Sequence, residues 1–302
     1  MPYHVPVLLK ESIDGLHVKP HGTYVDLTFG GGGHSLEILK KLETGKLFGF
    51  DQDSDAKRNI IDNQNFIFVN GNFKYFKNFL KYHKIEKVDG ILADLGLSSH
   101  HIDEPKRGFS FRFDAKLDMR MNSEAKLTAF DVINTYQDED LYRIFKEYGE
   151  LKSVYTLVNS ILSARKEREI ETTFQLIEVI ENSAPKHKEH RFYAQVFQAI
   201  RIEVNQEIDV LKKMLLQTKD ILKPGGRLVV ISYHSLEDRL VKNYMKSGNF
   251  EGKQEKDNFG NITRYFKLIN KKIIIPTDEE NKVNTRARSA KLRIAEKIRN
   301  EE

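Results

Sequence analysis

The chain has 302 residues, of which 39% are hydrophobic and 31% charged, and it contains no cysteine. This length accommodates one large domain or two, and the lack of cysteine excludes disulfides and thiolate zinc sites. No apolar run approaches the roughly 20 residues of a transmembrane helix, and the first residues carry no signal segment, so we expect a cytoplasmic protein without membrane contact. The net charge of +5 favours a polyanionic partner.

A strand, a glycine-rich loop and a helix begin the predicted fold. After an N-terminal arm, residues 23–28 predict a strand, Gly30 to Gly33 a tight loop, and residues 34–43 a helix. Glycines let the backbone pass close to a bound molecule. The next predicted strand ends at Asp51, where a carboxylate can accept hydrogen bonds from both hydroxyls of a ribose. Together these features predict a site for a nucleoside-bearing cofactor.

The glycine pattern narrows the class of cofactor. A dinucleotide-binding fingerprint needs a third glycine where Ser35 or Leu36 stands, and a phosphate-binding loop needs Ser or Thr where Leu47 follows Gly45-Lys46. An acidic strand, a glycine loop and an acidic strand end are typical of enzymes that bind S-adenosylmethionine, which carries no phosphate. The alternative is that the glycines only turn a βαβ unit.

The alternation of strands and helices predicts an α/β fold with a doubly wound parallel sheet and ligands at the carboxyl ends of its strands. The remaining predicted elements before residue 95 are a strand at 46–51, a helix carrying Ala56, Ile60 and Ile61, a strand at 66–69, a helix at 74–83 and a strand at 88–94.

From residue 106 to 206 no strand pattern interrupts the helical periodicity, so we predict an inserted all-helical domain within a discontinuous domain of residues 1–105 and 207–302. Helical patterns in the insertion cover 141–148, 154–162, 172–182 and 190–204. The predicted elements after it are a helix at 207–222, a strand at 227–232, a helix at 235–246, a mobile loop at 247–262, a strand at 264–269 and an edge strand within 286–295.

The residues that end the predicted strands should converge on one cleft: Asp26, Asp51, Phe73, Asp94 and Ser232. Phe73 is placed to cover an adenine face, although a plain core aromatic explains it as well. Asp94 ends the buried run that begins at Gly90, and packing hardly explains a carboxylate there. We expect it to hold the amino group of the cofactor or to accept a hydrogen bond from a substrate amine, which makes it the candidate catalytic residue.

Two motifs follow the fourth strand. His100, His101 and Asp103 suggest a metal site, but adjacent histidines rarely ligate one ion, so we expect no metal and a loop that lines the cleft. The second motif interleaves arginines with aromatic rings, which can hold phosphates and stack on unpaired bases. The alternative for this motif is a hydrophobic hinge that clasps the insertion to the sheet. Its candidate RNA-binding residues are Arg107, Phe109, Phe111 and Arg112.

Several longer motifs resemble one bacterial family, the S-adenosylmethionine-dependent methyltransferases that modify a cytosine N4 in 16S ribosomal RNA. The resemblance covers the chain from end to end. The motifs that carry it include His4-x-Pro6-Val7-Leu8-Leu9-x-Glu11, Gly31-Gly32-Gly33-His34-Ser35, Asp94-Leu95-Gly96-x-Ser98-Ser99, Arg107-Gly108-Phe109-Ser110-Phe111, Leu117-Asp118-Met119-Arg120-Met121, Arg201-Ile202-x-Val204-Asn205-x-Glu207, Pro224-Gly225-Gly226-Arg227-Leu228, His234-Ser235-Leu236-Glu237-Asp238-Arg239 and Arg288-Ser289-Ala290-x-Leu292-Arg293.

The resemblance implies a Rossmann-like methyltransferase sheet and a helical insertion that helps to bind RNA. It implies S-adenosylmethionine as cofactor and the decoding centre of the small ribosomal subunit as partner. A homodimer is a separate expectation. The implied cofactor contacts are Gly32, Gly33 and His34 to the methionine part, Asp51 to the ribose, Phe73 to the adenine, Asp94 near the sulfonium, and His101 in place of a family glutamine. His234 is a further candidate RNA contact.

The implied chemistry is mainly a matter of alignment, because the methyl group of a sulfonium is already activated whereas the cytosine amine is a poor nucleophile. Asp94 or a backbone carbonyl of residues 95–98 could accept the hydrogen bond of the amine. One rival is a non-catalytic RNA-binding or assembly factor that keeps the nucleoside pocket as a relic. A more distant rival is a DNA amino-methyltransferase, but these enzymes place Pro-Pro after the fourth strand and this chain has no such pair.

Overall fold

The computed structural model describes residues 6–97, 104–254 and 264–298. The chain divides into two compact units, one formed by Met1–Gly96 and Ile208–Glu302 and the other by Leu97–Glu207. The first junction therefore precedes the expected boundary at residues 105 and 106. Leu97, which lies before the expected boundary, packs against the buried core of the second unit.

The first unit is built on a seven-stranded sheet in the order β3-β2-β1-β4-β5-β7-β6. Strands β1 to β5 run parallel, and β7 pairs antiparallel with both β5 and β6. The strands are β1 (Thr23–Asp26), β2 (Lys46–Asp51), β3 (Phe66–Asn70), β4 (Val88–Asp94), β5 (Leu222–Ser232), β6 (Phe266–Leu268) and β7 (Lys291–Lys297). The predicted α/β fold with a doubly wound sheet is confirmed, and the predicted parallel arrangement holds for β1 to β5 but not for β6 and β7.

Both faces of this sheet are buried, which explains its near-continuous apolar strands. Val25, Phe48 and Ile91 belong to the core on one face, whereas Tyr24 and Leu47 belong to the core on the other. Helices cover each face. The first core is completed by α3 (Phe76–Tyr82), α9 (Glu207–Ile221) and α10 (Ser235–Ser247), and the second by α1 (Leu9–Leu16) and α2 (Gly33–Leu39).

Two expectations about this unit are wrong. The segment after β2 forms only a 3-10 turn over Ser54–Asn59, which the side chain of Asp53 caps, and the backbone becomes extended at Ile60. The C-terminal strand β7 is not an edge strand, because it lies between β5 and β6 and buries Leu292 and Ala295 on opposite faces. Much of the predicted mobile loop, residues 255–263, falls outside the described residues.

The second unit is helical, and its described residues contain no strand beyond one isolated bridge between Lys116 and Thr172. One of its helices, α4, escaped the sequence analysis, although the capping box of Thr128 and Asp131 marks its start. The helices are α4 (Ala129–Thr135), α5 (Asp138–Glu147), α6 (Tyr155–Glu167), α7 (Thr173–Ile180) and α8 (Glu189–Asn205). None of the helices in the described ranges is both long and apolar enough to cross a bilayer.

Candidate active site

The loop between β1 and α2 leaves its backbone open. Gly30 and Gly32 adopt positive φ angles of 49° and 76°, which favour glycine. A Cβ atom on Gly31 would meet nothing within 4 Å, whereas one on Gly33 would lie 2.2 Å from Cγ of Pro6. The loop therefore offers free space above Gly31, beside a tightly packed helix start.

Asp51 fixes this loop from the end of the neighbouring strand. Its Oδ2 accepts a hydrogen bond of 2.8 Å from the amide of Gly30, and its Oδ1 accepts one of 2.8 Å from the amide of Asp53. The half-buried side chain of Asp51 thus holds the loop through both of its carboxylate oxygens.

Asp94 lies at the centre of a hydrogen-bonded cluster. The Tyr233 hydroxyl donates to its Oδ1 at 2.8 Å, and Nδ1 of His34 lies 4.0 Å from its Oδ2. The backbone amide of Asp94 donates to Oγ1 of Thr28 at 2.7 Å. The Asp94 side chain keeps 21% of its surface exposed whereas that of His34 keeps 7%, so the carboxylate is the more accessible of the two.

The surroundings of Asp94 make its carboxyl basic enough to exchange a proton near neutral pH. Burial raises the pKa of Asp94 to about 6, against the lowering effects of His34 and of the hydrogen bond from Tyr233. Burial also raises the pKa of Tyr233 well above its usual value, so its hydroxyl stays protonated and donates to Asp94. Tyr233 therefore fixes the orientation of the Asp94 carboxylate through Oδ1, and Oδ2 is the oxygen that can accept a hydrogen bond from a ligand.

Asp26 supports the site from behind. It is fully buried, and its Oδ2 accepts a hydrogen bond of 2.7 Å from the Ser35 hydroxyl while its Oδ1 accepts one of 3.1 Å from the amide of Thr28. Burial raises the pKa of Asp26. Since Thr28 also accepts from the Asp94 amide, Asp26 ties the glycine loop, the start of α2 and the end of β4 together.

Two predicted strand-end residues lie outside this hydrogen-bonded cluster. Phe73 starts a 3-10 turn and packs, half-buried, against the core of the sheet. Ser232 is buried, and its hydroxyl donates to the carbonyl of Lys291 in β7 at 3.4 Å. Tyr233, the next residue, points its hydroxyl at Asp94 instead. Thr28, Ser35 and Tyr233 are the site residues that the sequence analysis missed.

The arginine–aromatic motif is largely a packing element of the helical unit. The Arg107 guanidinium donates to the carbonyls of Arg120 and Met121 at 2.8 and 3.1 Å. Phe109 is only 8% exposed and belongs to the helical core, which contradicts a base-stacking role for its ring. Phe111 is half-buried against Phe197 and its neighbours. Of the four candidates only Arg112 is exposed, so it alone presents its side chain freely.

His234 has a structural role at the start of α10. Its Nδ1 accepts from the amide of Glu237 at 3.5 Å, and the Glu237 carboxylate accepts from the Tyr233 amide at 3.0 Å. The resulting capping box fixes the turn that carries Tyr233. His101, with His100 and Asp103, lies outside the described residues.

Another of the longer motifs stabilises the helical unit. Asn205 donates to the carbonyl of Met119 at 2.8 Å and accepts from the amide of Met121 at 2.7 Å, which holds Met119 at its positive φ of 56°. Arg201 pairs with both carboxylate oxygens of Glu207 at 2.8 Å. These residues therefore shape the segment that follows the arginine–aromatic motif.

Comparison with known proteins places the chain in one family. The model of the MraW methylase family matches residues 1–298. A ribosomal RNA small subunit methyltransferase H from Bacteroides thetaiotaomicron is 59% identical over 298 residues, 98% of each chain. The protein of the same name from Christiangramia forsetii is 59% identical over 299 residues, 99% of each chain. With a family match and relatives that extend over almost its whole length, the chain belongs to the MraW methylase family.

Proposed function

We propose that this chain transfers a methyl group to the exocyclic N4 of a cytidine in the 16S RNA of the small ribosomal subunit. The methyl donor of this methylase is S-adenosylmethionine, which supplies an activated methyl group when bound. Support for the RNA substrate comes from the relatives, which are named ribosomal RNA small subunit methyltransferases. Support for an amine as acceptor comes from Asp94, an accessible and oriented carboxylate at the end of β4.

The residues of the first unit fit the cofactor. The space above Gly31 admits a ligand against the loop backbone, and we assign the half-buried carboxylate of Asp51, at the end of β2, to the ribose hydroxyls. We assign Gly32, Gly33 and His34 to the methionine part of the cofactor and Phe73 to the adenine. In this assignment Asp94 accepts hydrogen bonds from both the cofactor amino group and the substrate amine.

The proposed chemistry uses Asp94 as acceptor for the substrate amine. A hydrogen bond from the amine to Oδ2 would localise the nitrogen lone pair, which the cytosine ring otherwise delocalises. After the nitrogen–carbon bond forms, the amine must lose a proton, and a carboxylate with a pKa of about 6 can take it and release it to water. Tyr233 and His34 hold the carboxylate in place during this transfer.

We further propose that the helical unit serves RNA binding, with Arg112 as an exposed contact. Its role differs from that of Arg107 and Phe109, which we now assign to the architecture of the unit.

Methyl transfer from radiolabelled S-adenosylmethionine to small ribosomal subunits tests the proposal. The RNA is digested to nucleosides, and we expect the label in N4-methylated cytidine of the 16S RNA. Label in another nucleoside would overturn the proposed position. A wild-type chain that binds the subunit and the cofactor but transfers no label would instead support a non-catalytic assembly factor.

A further inference from the structure

Lysines from four separate segments of the first unit gather around a single carboxylate, that of Asp220 in α9. Lys77 of α3 donates to it at 2.9 Å, and Lys87, just before β4, donates to the backbone carbonyl of the same residue. These two lysines and Lys219 all lower the pKa of Asp220, with the hydrogen bond from Lys77 as the main cause. One negative charge thus faces several ammonium groups.

The first three segments are α3, the residues before β4, and α9, which carries Lys219. The fourth is β7, which brings Lys297 to the same cluster. The ammonium groups of Lys219 and Lys297 lie 5.0 and 5.1 Å from the centre of the Tyr265 ring, which holds them in fixed positions. Burial lowers the pKa of Lys297, Asp220 raises it, and repulsion from Lys87 and Lys219 lowers it. Four lysines thus share the single carboxylate of Asp220.

Helix α3 extends this charge along the surface. Residues 74–87 contain five lysines and one acidic residue, Glu86. Lys77 and Lys81 are four residues apart on α3, and like charges at this spacing destabilise a helix. Lys84 follows shortly after the helix and is exposed. Such repulsion costs stability unless an anion binds there.

An apolar groove lies beside the same helix, along the edge strand β3. It has a volume of about 490 Å³ and is lined by Phe68, Phe79, His83 and, at its rim, Tyr82, whose surface is 82% exposed. Aromatic rings next to lysines provide stacking surfaces for unpaired bases whose phosphates the lysines neutralise. The groove and the lysines therefore suit the same kind of ligand.

We infer that α3 carries a docking surface for ribosomal RNA in which the groove takes unpaired bases and Lys77, Lys81, Lys84, Lys87, Lys219 and Lys297 contact phosphates. Lys87 precedes the first residue of β4 and Asp94 is its last, so the end of the surface at Lys87 lies roughly 23 Å from the candidate catalytic carboxylate, at ~3.3 Å per residue. Asn70, which is opposite Asp51 in the sheet, also lines the groove. The surface would bind RNA beyond the target nucleotide. This inference rests on the proposed function, since it assumes the same RNA substrate.

The test compares two triple variants of the full chain. In one, Lys81, Lys87 and Lys219 are changed to Gln; in the control, Lys10, Lys40 and Lys41, on other elements of the unit, are changed to Gln. Both lose the same net charge. We expect the first variant, relative to the control, to bind small subunits about tenfold more weakly and to show a salt slope of log K reduced by ~2, because three phosphate contacts are lost. Tyr82→Ser should weaken binding without changing the slope.

Calorimetric cofactor affinity should equal that of the wild type in all variants, and no variant should melt at a lower temperature than the wild type. Equal salt slopes for the two triple variants would overturn the docking surface. The proposed function is judged separately by label transfer from the wild type to 16S RNA, so that a failure of the surface and a failure of the activity are distinguishable.

Discussion

The hydroxyl of Tyr233, the residue that follows β5, donates a hydrogen bond of 2.8 Å to Oδ1 of Asp94, the last residue of β4. The parallel register of the two strands, in which Asp94 is opposite Ile231, brings the end of β5 beside the carboxylate. A phenol that stays protonated thereby occupies one carboxylate oxygen and leaves the second for another donor.

Tyr233→Phe should shift the pH dependence of methylation. The hydrogen bond from Tyr233 lowers the pKa of Asp94, so its loss should raise that pKa above its value of about 6. A larger fraction of the carboxyl is then protonated at pH 7 and cannot accept a hydrogen bond, so we expect methylation at pH 7 to fall about twofold, with recovery at higher pH. The pH profile of label transfer at saturating cofactor measures this. If the acidic limb of the variant's pH profile coincides with that of the wild type, the orienting role of Tyr233 is contradicted.

Asp94→Asn should abolish methylation but stabilise the fold at neutral pH. The carboxyl has a pKa of about 6 in the folded chain and about 3.9 when unfolded. Because the pKa of Asp94 is higher in the folded chain than in the unfolded one, the protonated carboxyl contributes to the free energy of unfolding below pH 4. This contribution is lost as the pH rises through 6. Replacing it with a neutral amide should therefore raise the free energy of unfolding by ~1–3 kcal/mol at pH 7.5 and by less at pH 5. Urea denaturation at both pH values decides the point, and a loss of stability at pH 7.5 would refute it.

Asp51→Ala should weaken the binding of S-adenosylmethionine by about 1–3 kcal/mol, because ribose hydroxyls lose their charged acceptor. The same carboxylate holds the amide of Gly30, so part of this loss comes from the loop. Calorimetry measures the dissociation constant. Asp55→Asn, a change to a carboxylate that pairs with Arg58 on the nearby 3-10 turn, is the matched control and should leave the constant unchanged. An unchanged constant for Asp51→Ala would exclude a contact with the ribose.

Phe109→Ala and Arg112→Ala should separate packing from RNA binding. Phe109 is buried in the helical core, so its truncation should lower stability by about 3–5 kcal/mol and lower the melting temperature. Arg112 is exposed, so Arg112→Ala should keep the melting temperature but reduce the salt slope of RNA binding by about 1. Thermal denaturation and salt titration test both. A Phe109→Ala variant with full stability would restore the base-stacking interpretation.

The sequence was sufficient to predict the parallel part of the sheet, because β1, β2 and β4 are short apolar runs that are buried on both faces. The position of β7 was not predictable in the same way, since its partner β5 is distant in sequence and alternation alone does not distinguish an edge strand from an interior one. Ile60 and Ile61 suggested a helix that the Asp53-capped turn ends early.

For the candidate site, the glycines and the carboxylates of Asp51 and Asp94 were found because each residue type is unusual in its place. Tyr233 was not, since its link to Asp94 depends on the register between β4 and β5 rather than on a local pattern. The burial of Phe109 was equally hidden, because arginines interleaved with aromatic rings fit a packed segment as well as a stacking surface.

The interior position of β7 has a consequence for synthesis of the chain. The strand between β5 and β6 is made from residues that follow both of them in sequence. Until Lys291–Lys297 have left the ribosome, β5 therefore presents an unpaired backbone edge, which is prone to wrong pairing with other chains. A stop codon shortly before residue 291 would not remove an accessory tail but would leave the sheet open in its middle, and we expect such a product to aggregate or be degraded.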